Sequence, residues 1–395
     1  MSWIALQMLT GDRAKFFGIV MGLTFAALLI TQQGSIFCGL MLRTAGQVAD
    51  TTGADLWVMD PNVLHVDDVK PMIQNNLYRV RGVDGVKWAV PLYKGNARAK
   101  IDNYKGSPKQ VIEQVVLLGL DDSSMVGAPP TSRLLEGRLE DLRKPDAVFI
   151  DNNRLPKLFP GLKPDAYKRE NYYKFLGTEF EMNDHRAIVV GVCEASRTFQ
   201  SNPVVYTTYS RAKGFIPMER KTLSYILAKA EEGRDPKEVA ESIRRQTGLG
   251  AETGPDFQWK TIMYYMKYTG IPINFGITAV LGFLVGTAIA GQTFYNFTLE
   301  NLKQFGALKA MGATNGKIVG MILLQATVVG LLGYGLGVGL ATLFGISTQG
   351  GELAYYTHWM ILPITGVAVV FICILASLLS VRKVVFLEPA VVFRG

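Results

Sequence analysis

The chain has 395 residues, 49% hydrophobic and 19% charged, with a mean hydropathy of +0.19 and a formal net charge of +8. Three cysteines are too few to staple a domain, and the basic excess forms no dense run that would mark a nucleic-acid surface. Length alone allows two or three domains.

The apolar residues are concentrated rather than spread. Four runs lack any charged residue and reach the roughly 20 residues needed to cross a bilayer as a helix. They are Phe16–Leu42, Ile271–Phe297, Ile318–Ile346 and Trp359–Val381. The first is long for a secretory h-region and is followed by no clear small-residue cleavage site, so it reads as an uncleaved anchor. Residues 1–42 are then an N-terminal stretch with a first span.

Residues 43–270 read as a separate mixed domain. Short β-rich runs occur at ADLWVMD, GVKWAVPLY, KQVIEQVVLLGL, DAVFID, RAIVVGVCEA and NPVVYTTY, bounded by Gly, Pro, Asp and Asn turns. Helical spacing appears in DDVKPMIQNNLYRVRG and in DPKEVAESIRRQTG, where Asp235-Pro236 predicts an N-cap followed by a first-turn proline. Cys193 is alone in this domain, since Cys38 and Cys373 fall in spans, so a packed core must hold it together. The return segment DFQWKTIMYYMKYTGIP predicts a helical stalk whose aromatics suit either a headgroup zone or stalk packing.

The remaining segments follow as span 271–297, a connection 298–316, span 317–346, a short loop 347–358, and a last span with its tail over 359–395. Of 41 Lys and Arg, 33 lie between Arg43 and Lys267. The other eight, Arg13, Lys15, Lys303, Lys309, Lys317, Arg382, Lys383 and Arg394, flank the spans on what must be one side, while the loop at 347–358 holds only Glu352. Basic short loops stay cytoplasmic and long domains translocate regardless of charge. Both termini and the 298–316 connection are expected in the cytoplasm, with the large domain beyond the membrane.

No catalytic constellation is present. The chain carries no HExxH, no GxSxG, no Cys or His cluster with metal-ligand spacing and no GxxxxGK[ST] phosphate loop. His65, His185 and His358 are scattered, and Asp67-Asp68 and Asp121-Asp122 read as turn or cap residues. No catalytic, cofactor-binding or metal-ligating residue is therefore assigned, and no ATP hydrolysis is expected from this chain itself. The spans carry no ionisable residue that would mark an ion path.

The connection ENLKQFGALKAMGATNGKIVG is the most informative stretch. Leu302, Phe305, Leu308 and Met311 recur every third residue as one apolar stripe, with Glu300, Lys303, Gln304 and Lys309 around it. Gly312 is placed to end this helix with positive φ, and Thr314 or Asn315 to cap the next span. Such a helix either lies on the lipid surface or docks a cytoplasmic protein. In the spans, Gly282 with Gly286, Gly333 with Gly337 and Gly335 with Gly339 have the spacing that lets membrane helices approach closely.

KQFGALKAMGATNGKI followed by LLQATVVGLLGYGLGVGLA resembles the signature of the MacB/FtsX superfamily of ABC transporter permeases. Gly306, Ala310, Gly312 and Ala313 match its Gly-x-x-x-Ala-x-Gly-Ala motif, and Gly333 and Gly337 its Gly-rich part. Gln304 and Gln325 stand where that family often has Glu, and FLEPAVVFRG is similar to the family's ending. GTEFEMNDHRAIVVGV and PVVYTTY are similar to the DevC-like group, whose ATPase is a separate chain.

The resemblance implies an α-helical membrane protein with four transmembrane helices and a large α+β extracytoplasmic domain inserted between helices 1 and 2. It implies a multi-pass protein of the inner membrane working by mechanotransmission. An ABC ATPase dimer holding ATP and Mg would dock on Glu300, Leu302, Lys303, Phe305, Gly306, Leu308, Lys309, Ala310, Met311, Gly312 and Ala313. A second copy of this chain, membrane lipids, a periplasmic adaptor and an outer-membrane duct are the further partners implied. Gly282, Gly286, Gly333 and Gly337 would pack helices within or between copies. Export of an amphiphilic cargo is the leading expectation; FtsX-like signalling and LolC-like lipoprotein release are the alternatives.

Overall fold

The structure, a computed structural model, describes residues 2–102, 110–216, 222–348 and 353–385. Glu352 and the ending FLEPAVVFRG lie outside the described residues. Contacts divide the chain into one unit of Met1–Leu40 with Gly270–Gly395 and a second of Met41–Thr269.

In chain order the elements begin with α1 (Ser2–Gly11) and α2 (Arg13–Asp50), then β1 (Leu56–Met59), α3 (Asn75–Arg81), β2 (Val86–Ile101) and β3 (Val111–Leu120). Next come β4 (Leu134–Glu136), β5 (Ala147–Asp151), α4 (Leu155–Leu158), β6 (Glu179–Met182), β7 (His185–Cys193) and β8 (Val204–Thr208). They continue with α5 (Tyr209–Gly214), β9 (Tyr225–Ala230), α6 (Pro236–Thr247), β10 (Gly250–Thr253) and α7 (Gly254–Tyr268). The chain closes with α8 (Ile271–Glu300), α9 (Leu302–Ala310), α10 (Asn315–Ser347) and α11 (Ile361–Val385).

In the first unit, α2, α8, α10 and α11 are each long and apolar enough to cross a membrane. Asp12 caps α2: its carboxylate accepts the Lys15 backbone N–H at 3.2 Å, the N3 donor that a helix start leaves unpaired. Helix α1 is an element that the apolar spacing did not reveal. Its ten residues bury Ala5 and Leu9 and expose Trp3. A sequence this short, with apolar residues all round, gives no periodic signal.

In the second unit, ten strands follow the order β10-β1-β9-β2-β3-β8-β5-β7-β4, with β6 pairing both β2 and β7. Strand β2 serves two neighbours in turn. Val86–Leu92 pairs antiparallel with β9, and Tyr93–Ile101 pairs antiparallel with β3. Helices α3 and α6 supply Leu77, Val80, Val239 and Ile243 to one core, while Trp57, Tyr225 and Phe257 sit in another. At α6 the Asp235 side chain accepts Lys237 N at 3.0 Å, Pro236 opens the helix, and Gly248 ends it at φ 70.

Two readings change. The helix expected over DDVKPMIQNNLYRVRG shrinks to Asn75–Arg81. Pro71 disfavours helical backbone before it, and Met72 instead pairs with Leu223. Strands β4, β6, β9 and β10 and the second half of β2 add to the runs expected from sequence. The run KGNARAKI is polar enough in composition to look like loop, yet Ala97, Ala99 and Ile101 are buried at alternate positions with charged residues between them.

Candidate functional site

Helix α9 joins two of the apolar helices, and its own faces are used unequally. Phe305 is fully buried and Leu308 nearly so. Both belong to one cluster with Ile19, Leu23, Phe294, Ile318, Met321 and Ile322, and Leu302 and Ala313 pack against it. Gly306 is buried beside them. This corrects the stripe: Phe305 and Leu308 pack against their own bundle and are not offered to a partner. Periodicity tells which face is buried, never against what. Met311, the fourth member, breaks from the stripe and is 75% exposed. Lys303, Gln304, Ala307, Ala310 and Met311 make up the outward surface.

The end of α9 is a Schellman motif. Gly312 has φ 92 and its N–H donates to Lys309 O at 2.9 Å, while Ala313 N–H reaches back to Leu308 O at 3.0 Å. A Cβ at Gly312 would meet nothing within 4 Å, so glycine is required by backbone conformation alone. Thr314 takes the N-cap position of α10 without a side-chain cap bond.

Three polar contacts hold this end of the unit. Lys309 Nζ donates to the carbonyls of Val384 at 2.8 Å and Val385 at 3.0 Å. These are the last described residues of α11. Lys15 Nζ bonds Asp12 at 2.5 Å and also Glu300 at the end of α8; its hydrogen bond holds the Asp12 carboxyl below the usual range. Gln325, fully buried in α10, donates to Ala5 O of α1 at 2.7 Å. A neutral amide keeps this contact without placing a charge inside the bundle. Of the expected coupling residues, Glu300 and Lys309 thus serve internal tethers.

The span glycines face α2 from two sides. A Cβ at Gly337 would lie 2.5 Å from Ala27 Cβ and 2.7 Å from Thr24 O, and one at Gly333 would lie 2.5 Å from Leu23 Cβ. On α8, Gly286 abuts Ala26, and Gly282 would place a Cβ 3.0 Å from Leu29 Cβ. All four pack within one copy. Gly335 and Gly339 meet nothing within 4 Å.

The second unit holds no group of three or more metal-ligating side chains among the described residues. Its buried polar contacts read as structural. Lys94 is buried, bonds Val66 O at 2.8 Å and pairs with Asp67. Burial raises the Cys193 thiol well above its ordinary value, so it is not a poised nucleophile. His65 stacks on Tyr264 of α7 at 4.3 Å.

Two family descriptions match this chain: "FtsX-like permease C-terminal" over residues 276–389 and "MacB-like periplasmic core domain" over residues 16–246. An uncharacterised ABC transporter permease of Mycobacterium tuberculosis is 26% identical over 235 residues, covering 59% of this chain and 62% of that one. The macrolide export ATP-binding/permease protein MacB of Escherichia coli is 25% identical over 209 residues, covering 51% of this chain and 31% of its own length. Among solved structures, the periplasmic region of MacB from Actinobacillus actinomycetemcomitans has a TM-score of 0.36 at 13% identity, covering 54% of this chain and 94% of that one. The extracellular domain of YknZ from Gram-positive bacteria has a TM-score of 0.33 at 15% identity, covering 51% and 99%.

Proposed function

Because this chain belongs to the MacB/FtsX family of ABC transporter permeases, we propose that it couples ATP hydrolysis in a separate ATPase to movement of its far-side domain, driving export of a lipid-like or otherwise amphiphilic substrate. The observation that carries this is α9: one face is locked into the bundle and the other presents Lys303, Gln304, Ala307, Ala310 and Met311 outward. A helix fixed to its own bundle can pass force to it, while an exposed apolar Met311 on the surface that also carries Lys303 fits a protein seat.

The four apolar runs carry no charge, which supports work done by movement rather than passage of a polar solute through the bundle. Helix α2 runs unbroken from Arg13 to Asp50, long enough to serve as a lever. The Escherichia coli relative is named for ATP binding and permease together, and an ATPase bringing ATP and Mg would supply the energy here. An ABC ATPase closes on ATP as a pair, so two copies of this chain would seat it. Both termini would be cytoplasmic, and a periplasmic adaptor and outer-membrane duct would complete the route.

The test is co-purification of the full chain with its ATPase from membranes, with ATPase rate measured alongside. Met311→Asp should lose most of the bound ATPase and its stimulation, since burying an unpaired charge costs several kcal/mol, while the permease alone remains folded. Wild-type capture and stimulation by Met311→Asp and by Lys303→Glu would refute the docking role.

A further inference from the structure

The segment Glu194–Pro203, between β7 and β8, touches both helices that bound the second unit. At one end, Ser196 meets the last turn of α2. The Asp50 carboxylate accepts from Ser196 Oγ at 2.6 Å, from Ser196 N and from Arg133 Nη1, while only 2% of Asp50 is exposed. The fit is close in carbon as well: a Cβ at Gly46 would lie 2.7 Å from Ser196 Cβ. At the other end, the Phe199 ring packs on Tyr265 of α7 with centroids 5.0 Å apart.

Around and just past the Phe199 contact the segment is braced. Ser201 sits at φ 57, a costly conformation for a residue with a side chain. It is held by Ser201 N to Thr198 O at 3.0 Å and Asn202 N to Thr198 Oγ1 at 3.0 Å. The segment is also pinned to the sheet on both sides, by Glu194 N to Arg133 O and Val116 N to Pro203 O, each 2.8 Å. Asn153 Nδ2 adds a bond to Ala195 O at 3.1 Å.

We propose that Glu194–Pro203 is a clasp linking the end of α2 to α7, so that a displacement of either helix is felt at the other. Asp50, Ser196 and Phe199 are its positioning residues. A stiff link of this kind has few ways to absorb a shift of α2 locally, because Asp50 would have to give up three donors in a buried place, which is costly. The shift goes instead to Phe199 and the α7 rings behind it, where Tyr265 also meets Tyr264 at 5.6 Å. The biological use of the clasp rests on the export reading; its existence does not.

Hydrogen exchange on the full chain in detergent tests it. Asp50→Asn, or Ser196→Ala should the first fail to fold, is expected to raise exchange across 258–268 by roughly five-fold or more, with α6 unchanged as the internal control. Coupling is reciprocal, so Phe199→Ala should raise exchange across 45–52. Exchange in α7 that moves no more than α6 overturns the clasp, as does a one-way effect. ATPase stimulation measured on the same variants keeps the two readings apart: altered exchange with normal coupling leaves the clasp standing and sinks its use in transmission.

Discussion

Gly337→Ala and Gly335→Ala form a matched pair, because the two glycines lie two positions apart in the middle of α10 and differ only in what a methyl would meet. At Gly337 the new Cβ would sit 2.5 Å from Ala27 Cβ, 2.7 Å from Thr24 O and 2.9 Å from Leu28 N. Two of these are backbone atoms of α2, which cannot swing aside as a side-chain tip can. Carbon atoms settle at about 3.5–4.0 Å, so α10 and α2 must part by roughly 1 Å along this contact. Overpacking of that kind costs about 1–3 kcal/mol. At Gly335 the methyl meets nothing within 4 Å, and only the helix preference of alanine over glycine, about 1 kcal/mol, acts. That preference is common to both variants and cancels in their difference. Reversible unfolding in mixed micelles, followed by circular dichroism, should place Gly337→Ala about 1–3 kcal/mol below Gly335→Ala. Equal midpoints would falsify the packing of α10 against α2 through Gly337.

Three further outcomes are expected. Gly312→Val should cost about 1–2 kcal/mol of stability from left-handed strain alone, and should weaken ATPase stimulation, whereas Gly316→Ala, in the first turn of α10 with open space at its Cβ, should lose no stability and leave stimulation unchanged. Phe305→Ala should lower the unfolding free energy of the isolated permease by about 3–5 kcal/mol; loss of ATPase capture with unchanged stability would show that Phe305 faces the partner after all. Burial raises the Asp151 carboxyl from 3.8 to about 6. The folded state therefore holds this proton more tightly than the unfolded one, and stability falls as pH rises from about 4 to 6, by roughly 3 kcal/mol. Asp151→Asn, which still accepts from Asn153 N, should flatten that slope in denaturant titrations at pH 4.5 and 7.5; an unchanged slope would assign the pH dependence elsewhere.

What could be read from the residues divides along a physical line. The four apolar helices were legible because bilayer thickness imposes a length that no loop imitates. Gly312 was legible because one local conformation demands it, and Asp235-Pro236 because cap chemistry is local. The destination of the Leu302, Phe305 and Leu308 stripe was not, since own bundle and partner surface look alike to a hydrophobic pattern. Strand β9, with five of its six residues buried, shows no alternation and reads equally as helix or strand. The Asp50 site lay further out of reach: its partners Arg133 and Ser196 are 83 and 146 residues away. Three ordinary polar residues at such separations carry no signal until the sheet brings them together.

The tethers around α9 bear on how it could pass force. Lipid gives helices no hydrophobic reason to associate, so packing and polar contacts must hold them. Here the charged contacts lie at the helix ends, Lys15 with Glu300 and Lys309 with the α11 carbonyls, while Gln325 joins the interior of α10 to α1. The middle of the bundle is left to glycines and small side chains against α2. Helix α9 is thereby tied to α11 through Lys309 and to the shared core through Phe305 and Leu308. A push on Met311 cannot move α9 alone, because its motion would expose Phe305 and strip two carbonyls of their donor. Lys309→Met isolates that second tie: it keeps the apolar stem and removes the donor. ATPase capture should survive, since Met311 and Lys303 are untouched, while stimulation should fall. Normal stimulation in Lys309→Met would mean that the link to α11 transmits nothing.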